Sequence, residues 1–417
     1  MTTFTNKLRF LLPAMCLVVV FGGCEDSVTD YSNLTSGDTA TSSDTDTMVT
    51  GTDNIGIPGT DSDSVLDTDS SSDSASDSAV VTPVATNAVV MTSDYESGAV
   101  SVLATGTRSQ VGDRLVVHSD TVCRYDAITD NVFLVSRLGS DAVTVLSPKA
   151  DFAPIQQYSV DPGTNAQDIA VVSAERAYVP RFASADILVV NPLTGAKLGR
   201  VDASPYADAD GNPEAAQAIY KDGVVYVTLQ RLDPSWQTTA YSSVLMIDAA
   251  SGAVQKEAKL TGKNPTGVLR FNDTLQAFIL AETGAYGVLD GGVETLKADG
   301  TPSGMIVTEQ TLGGDVMDAI VTKPDLGFAV IGVPGADGAN TQLVTFNPMT
   351  GAKGQILIAS EGYAMSFMAL LGQKEIWVSD RHFTNSGVRV FDAKTAAELT
   401  PAPVNVGLPP AMICFDR

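Results

Sequence analysis

The chain has 417 residues, 49 of them acidic and 25 basic, and a formal net charge of −24. That balance argues against nucleic acid as a partner, because binding phosphates rests on clustered Lys and Arg. With His118 and His382 as the two histidines, a cage of imidazoles or a multi-histidine proton relay is excluded, while a hydrophobic content of 44% is ample for one large core.

The N-terminus reads as an export signal. Lys7 and Arg9 precede the apolar run Phe10 to Phe21, which is short for a membrane span. Gly22, Gly23 and Cys24 follow. Small residues and then a Cys resemble a bacterial lipoprotein box, with Phe21 and Gly22 standing where its usual Leu and Ala or Ser would be. The expectation is a signal peptide over 1–23 and a lipidated Cys24, whose acyl chains would hold the protein on a membrane. This implies an envelope protein on the outer membrane, facing the periplasm or the surface.

Residues 24–85 read as a disordered tether. From residue 25 the stretch is mostly Ser, Thr, Asp and Gly, and its 13 acids meet neither Lys nor Arg. It cannot bury enough apolar surface to offset its ordering entropy, and like charges extend it.

Residues 86–417 repeat. A β-rich run, a polar loop, a second β-rich run and Asn/Asp-x-x-Thr/Ser-Gly recur in AYVPRFASADILVVNPLTGAK (177–197), VVYVTLQ…SSVLMIDAASGAV (224–254) and TQLVTFNPMTGAK (341–353). The segments 375–398 and 132–151 fit the same phrase. Val, Ile and Tyr in alternation predict strands, and NPLTG, DAASG and NPMTG predict tight turns between two of them. A short apolar strand precedes each phrase, so each unit reads strand A, B, C, turn, D. Units start near 120, 166, 214, 264, 314 and 363, a period of ~47 residues, as in propeller blades. The domain opens at NAVVMTSDYESGAVSVLA (87–104) without a strand A and closes on PPAMICFDR (409–417), a lone strand A. Joining them completes another blade and hides the edges. The expected fold is an all-β propeller of seven four-stranded blades, with six or eight as the alternatives, closed by the C-terminal strand.

AYVPRFASADILVVNPLTG resembles the YVTN-type repeat of YncE-like β-propellers. Tyr178 and Val179 match its opening, and Pro180 and Arg181 replace the next two residues. Related propellers serve as binding scaffolds, lyases and redox subunits, so the resemblance implies a fold and not a function. It also implies that ligands sit on the face where the B–C and D–A loops open.

Four blades place an Arg where strand B ends: Arg137, Arg181, Arg231 and Arg381. On one rim, these guanidinium groups would suit a carboxylate, a phosphate or an acidic sugar. Alternatively, Asp141, Asp186, Asp233 and Asp380 each brace a neighbouring Arg. Blades 1 and 5 carry Asp94 and Glu282 at that place. The loop 204–214 sets Asp208, Asp210, Asn212 and Glu214 around Gly211, a spacing of oxygens that fits calcium as well as a solvated turn. Cys123 and Cys414 fall on A strands of adjacent blades and could form a disulfide in an oxidising compartment, or stay as two buried thiols. His118 and His382 have no partner motif. Trp236, in the insertion 230–241, and Trp377 read as packing residues.

The function expected is a monomeric, anchored binding or interaction scaffold for a protein, glycan or small anionic ligand. The alternative is a propeller enzyme, a lyase or lactonase-like hydrolase with a metal at the funnel mouth.

Overall fold

The computed structural model describes residues 86–417, apart from 335–339, Tyr363 and Arg417. The expected signal peptide, Cys24 and tether lie outside the described residues.

The strands fall in chain order into seven sheets. Blade 1 holds β1 (Asn87–Ser93), β2 (Gly98–Ala104) and β3 (Ser109–Val117). Blade 2 is β4 (Thr121–Asp126), β5 (Asn131–Ser136), β6 (Ala142–Ser147) and β7 (Ala153–Ser159). Blade 3 is β8 (Ala170–Ser173), β9 (Arg176–Val179), β10 (Asp186–Val190) and β11 (Lys197–Asp202). Blade 4 is β12 (Ala215–Lys221), β13 (Val224–Leu229), β14 (Ser243–Asp248) and β15 (Val254–Lys259). Blade 5 is β16 (Arg270–Asn272), β17 (Ala277–Glu282), β18 (Gly292–Lys297) and β19 (Pro302–Thr308), followed by the single-turn helix α1 (Glu309–Leu312). Blade 6 is β20 (Asp315–Lys323), β21 (Leu326–Val333), β22 (Asn340–Phe346) and β23 (Lys353–Ser360). Blade 7 is β24 (Met365–Leu371), β25 (Glu375–Asp380) and β26 (Gly387–Asp392), and β27 (Pro410–Phe415) closes the ring. The fold is a seven-bladed β-propeller.

Each blade is an antiparallel meander, and β27 pairs with β1 to make blade 1 four-stranded. The outer edge of blade 7 is thinner. There the segment 398–404 forms no continuous strand beside β26 and meets it at the isolated bridges Phe391↔Glu398 and Val388↔Val404, with Leu399 N–H donating to Val390 O. Pro401 and Pro403 lie in that segment and have no N–H to donate to a ladder.

Alternation within the strands builds the ring. In β5, Val132 and Leu134 pack with Val89, Val100 and Val102 of blade 1, whereas Phe133 and Val135 pack with Ile169, Val179 and Leu188 of blade 3. A period of two thus sends neighbouring side chains to opposite faces, and both faces are buried. Every seam has such a cluster, including blade 7 against blade 1, where Trp377 and Val390 meet Val90 and Ile413. The strand-C-to-D turns close as their residues require. Gly195, Gly252 and Gly351 take φ of 74°, 78° and 69°, while Ala396 holds the same place in blade 7 at 60°.

Two ion pairs tie the inner strands together. Arg124 of blade 2 donates to Asp168 of blade 3, and the same carboxylate accepts Ala218 N–H of blade 4 at 2.9 Å. Arg270 of blade 5 donates to Asp318 of blade 6 at 2.6 and 2.9 Å, and that carboxylate accepts Met368 N–H of blade 7 at 2.8 Å. Each carboxylate spans three consecutive blades. Blade 1 then closes the ring. Its Thr86 and Asn87 N–H groups donate to Asp416 at 2.9 and 3.0 Å. Cys123 of β4 is disulfide-bonded to Cys414 of β27, with Cα atoms 6.0 Å apart.

Candidate functional site

A cavity of about 300 Å³ opens among the B–C and D–A loops, lined by residues of blades 1 to 5 and blade 7. Its chemistry divides by blade.

Blades 7, 1 and 2 supply a cationic arc. Arg381 reaches from blade 7 to Ser93 O of blade 1 at 2.9 Å, and its guanidinium lies 4.5 Å from the centroid of the Tyr95 ring. Among the described residues no carboxylate pairs with it. Arg137 donates to Asp120 Oδ1 at 2.8 Å and to Gln167 Oε1 at 3.1 Å. Asp120 N–H lies 3.2 Å from His118 Nδ1, which accepts it, so the imidazole keeps its other nitrogen for a further partner.

Blades 3 and 4 supply an apolar arc. Phe182 and Trp236 stack with centroids 5.6 Å apart and planes 14° from parallel. The insertion carrying Trp236 is tied into a turn. Asp233 Oδ1 accepts the N–H groups of Ser235 and Gln237, at 2.8 and 2.9 Å, and Asp233 O accepts that of Trp236. Leu232 of blade 4 extends this wall, and Leu138 of blade 2 lies between the two arcs.

Amides complete the lining. Gln167 Nε2 donates to Asn165 Oδ1 at 2.8 Å, and Gln230 Nε2 to Pro265 O at 3.2 Å. Asn264 is 2% exposed and commits its Nδ2 to Gly284 O, but its Oδ1 has no hydrogen-bond partner among the described residues. A buried acceptor left unpaired costs about 1–3 kcal/mol, so this one calls for a donor from water or a ligand.

The four Arg expected on one rim divide into two pairs. Arg137 and Arg381 line the cavity. Arg181 is fully buried within blade 3, ion-paired to Asp161 at 2.7 Å and to Asp186. Arg231 is buried in blade 4, donates to Tyr206 O and stacks 4.0 Å over Tyr241, beside a separate cleft lined by Asp208, Asp210 and Asp233. Of the bracing acids, Asp186 meets Arg181, while Asp380 lies 3.7 Å from Arg389, and Asp141 caps the N–H groups of Gly163 and Ala166.

The loop expected to suit calcium spends part of its oxygens locally, while Asp208 Oδ2 and Asn212 Oδ1 are buried without a hydrogen-bond partner among the described residues. Asp208 Oδ1 accepts Asp210 N–H at 3.2 Å, and Asp210 Oδ1 accepts Asn212 N–H at 2.8 Å. Glu214, at φ 48°, turns inward and accepts Leu232 N–H at 2.9 Å. Burial pushes its pKa up to about 8, and the charges of Asp210 and Asp208 add to that. Among the described residues no three His, Cys, Asp or Glu side chains gather as a metal site. His382 lies in another cleft, with Asp380 and Arg389. Trp377 is wholly buried and donates to Glu375 at 2.9 Å, and Trp236 lines the cavity.

Sequence reasoning missed a layer of buried acids in blade 5. Glu282, Glu294 and Glu309 are all fully buried. Glu294 Oε2 accepts the N–H groups of Thr261 and Gly262 at 2.8 and 3.0 Å, while Glu294 Oε1 and the oxygens of Glu282, which lies beside it, have no other hydrogen-bond partner among the described residues. Burial first, and then the adjacent Glu294, hold the Glu282 pKa well above the carboxylate range. Glu309 accepts Gly291 N–H at 2.8 Å and Val316 N–H at 2.6 Å, and burial pushes its pKa up to about 8. Asp315 accepts Gly287 N–H at 2.8 Å. These acids hold the loop 283–291, which carries Tyr286 to the cavity. The signal in the sequence is a Glu closing the apolar run AFILAE and another inside GVETLK, where strands buried on both faces would otherwise be apolar.

No family model matches the chain, and no curated protein sequence does. Solved structures share its fold. A candidate 6-phosphogluconolactonase from Bacteroides fragilis aligns at 13% identity and a TM-score of 0.56, over 82% of this chain and 99% of that one. A dihydro-heme d1 dehydrogenase, NirN, aligns at 13% and 0.53, over 79% and 75%. A streptogramin B lyase aligns at 13% and 0.50, over 72% and 92%. At these identities the likeness is one of fold.

Proposed function

We propose that this protein is an envelope lipoprotein of the YVTN type that displays its propeller as a binding module, with a small-molecule ligand held in the central cavity. Cys24 would carry the lipid, and the acidic tether would hold the propeller away from the membrane surface. One observation carries the reading: the cavity gathers side chains of six blades, and among them Asn264 Oδ1 is a buried acceptor without a partner.

Binding is favoured over catalysis by the carboxylates. Asp120 is the one carboxylate lining the cavity among the described residues, and Arg137 holds it as an ion pair, so His118 has no free acid beside it to complete an acid–base couple. General acid–base chemistry needs a group free to exchange a proton at the reacting atom. The buried acids with raised pKa values lie outside the lining.

The test is affinity selection from an envelope metabolite extract with the whole protein and with Ala216→Trp, which fills the cavity. Small molecules retained by the wild type and lost from the variant support the reading, and equal retention by both overturns it. Cys24→Ala should move the protein from the membrane fraction to the soluble one, and unchanged fractionation would refute the anchor.

A further inference from the structure

We infer that the cavity ligand is a flat aromatic molecule bearing one anionic group, a carboxylate or sulfonate. This rests on the cavity being the binding site. The cavity is polarised, with its cations on blades 7, 1 and 2 and its stacked rings on blades 3 and 4.

The anion follows from Arg381. Its Nη2 and Nη1 reach the carbonyls of Ser93 and Pro410, at 2.9 and 3.5 Å, and the Tyr95 ring lies beside it. Carbonyls and a ring fix the guanidinium in place without neutralising it, and no carboxylate among the described residues pairs with it. Arg231 is likewise without a carboxylate partner, but it lies outside the cavity, so Arg381 is the unneutralised guanidinium that faces it among the described residues. Arg137 lies in the same lining, with its charge already matched by Asp120. The site therefore has a net positive end, and a planar fork of N–H donors suits a carboxylate or sulfonate.

The flat apolar body follows from the opposite wall. Phe182, Trp236 and Leu232 offer ring faces and methyl groups. A sugar could lay its C–H face on a ring, but hydroxyls turned toward Leu232 would be buried without partners, at a cost an aromatic ring avoids. Such a ring can extend the Phe182–Trp236 stack, with the amides of Gln217, Gln230 and Asn264 available to edge substituents.

Two fluorescent probes of matched shape test this in the whole protein. One is 8-anilinonaphthalene-1-sulfonate, and the other is N-phenyl-1-naphthylamine, the same rings without the sulfonate. The sulfonate should bind once per chain and at least tenfold more tightly. Arg381→Gln should bring the two to parity, and Trp236→Ala should weaken both, with thermal melts showing that each variant folds. Should Arg381→Gln fail to fold, Arg381→Lys serves instead, keeping the charge and losing the fork, and a reduced preference is then expected. Equal affinity of the probes for the wild type, blocked by Ala216→Trp, would overturn the ligand class and leave the cavity reading standing. Binding that Ala216→Trp does not reduce would overturn the cavity reading itself.

Discussion

Blade 3 and blade 5 fill the same slot with opposite charges. Arg181 lies just past the end of its strand B and Glu282 is the last residue of its own, and each forms an isolated bridge to the D–A connection, with Ala166 and Pro265 respectively. Both are fully buried. Arg181 is neutralised by ion pairs with Asp161 and Asp186, which Arg200 joins from outside. Among the described residues no cation pairs with Glu282; Glu294 and Glu309 act on it instead, and it is neutralised by keeping its proton. Removing a charge from water is too costly to leave uncompensated; a guanidinium, which keeps its charge, needs a counterion, whereas a carboxylate can take a counterion or keep its proton. The slot fixes a backbone position and leaves the sign of the charge free.

The two remedies respond oppositely to pH. Lys197 and then Arg181 hold the Asp161 pKa below its ordinary value. Its contribution is present above the unfolded pKa and is lost as pH falls through the folded one. Glu282 and Glu309 are raised. Their contributions are complete below the unfolded carboxylate pKa and are lost as pH rises through the folded values, which for Glu309 is about 8. Blade 3 should loosen in acid and blade 5 in alkali.

The largest expected effect comes from breaking the ionic remedy. Arg181→Met leaves Asp161 and Asp186 without their inner cation and should cost about 3–5 kcal/mol in denaturant unfolding. Next is closure of the ring. Cys123→Ser should cost about 2–5 kcal/mol and lower the melting temperature, yet leave the pH dependence of both blades unchanged. A changed slope would show that the seam, and not the buried charges, sets the response. The smallest effect tests the protonic remedy. Glu282→Gln gives Glu294 Oε1 a permanent N–H donor and should raise stability by about 1–2 kcal/mol at pH 8, with little change at pH 5. Melting curves across that range measure it.

The sequence made some of this legible. Repeated turns such as NPLTG and NPMTG mark blades because a Gly at positive φ has few substitutes. The unmatched ends announce the β1–β27 pairing because a strand without a partner is unstable. The site was harder to see. Arg137 and Arg381 reach the cavity, and Arg181 and Arg231 do not, because the direction of a loop side chain depends on which neighbour receives it. The cavity draws one to several residues from each of six blades, so no short stretch contains it. The pairs Arg124–Asp168 and Arg270–Asp318 did leave a mark. VCRYD and VLRFN match three blades apart, as do QDIAV and MDAIV. Glu282 and Glu294 meet only because β17 and β18 pair in register, Glu282 with Gly292.

The most direct test is hydrogen exchange of the whole protein resolved by blade, at pH 3.5, 6 and 8.5, with intrinsic rates divided out. The account expects β10 and β11 to lose protection toward pH 3.5 while β17 and β18 keep it, and the reverse toward pH 8.5. Both blades losing protection at the same end of the range would contradict it.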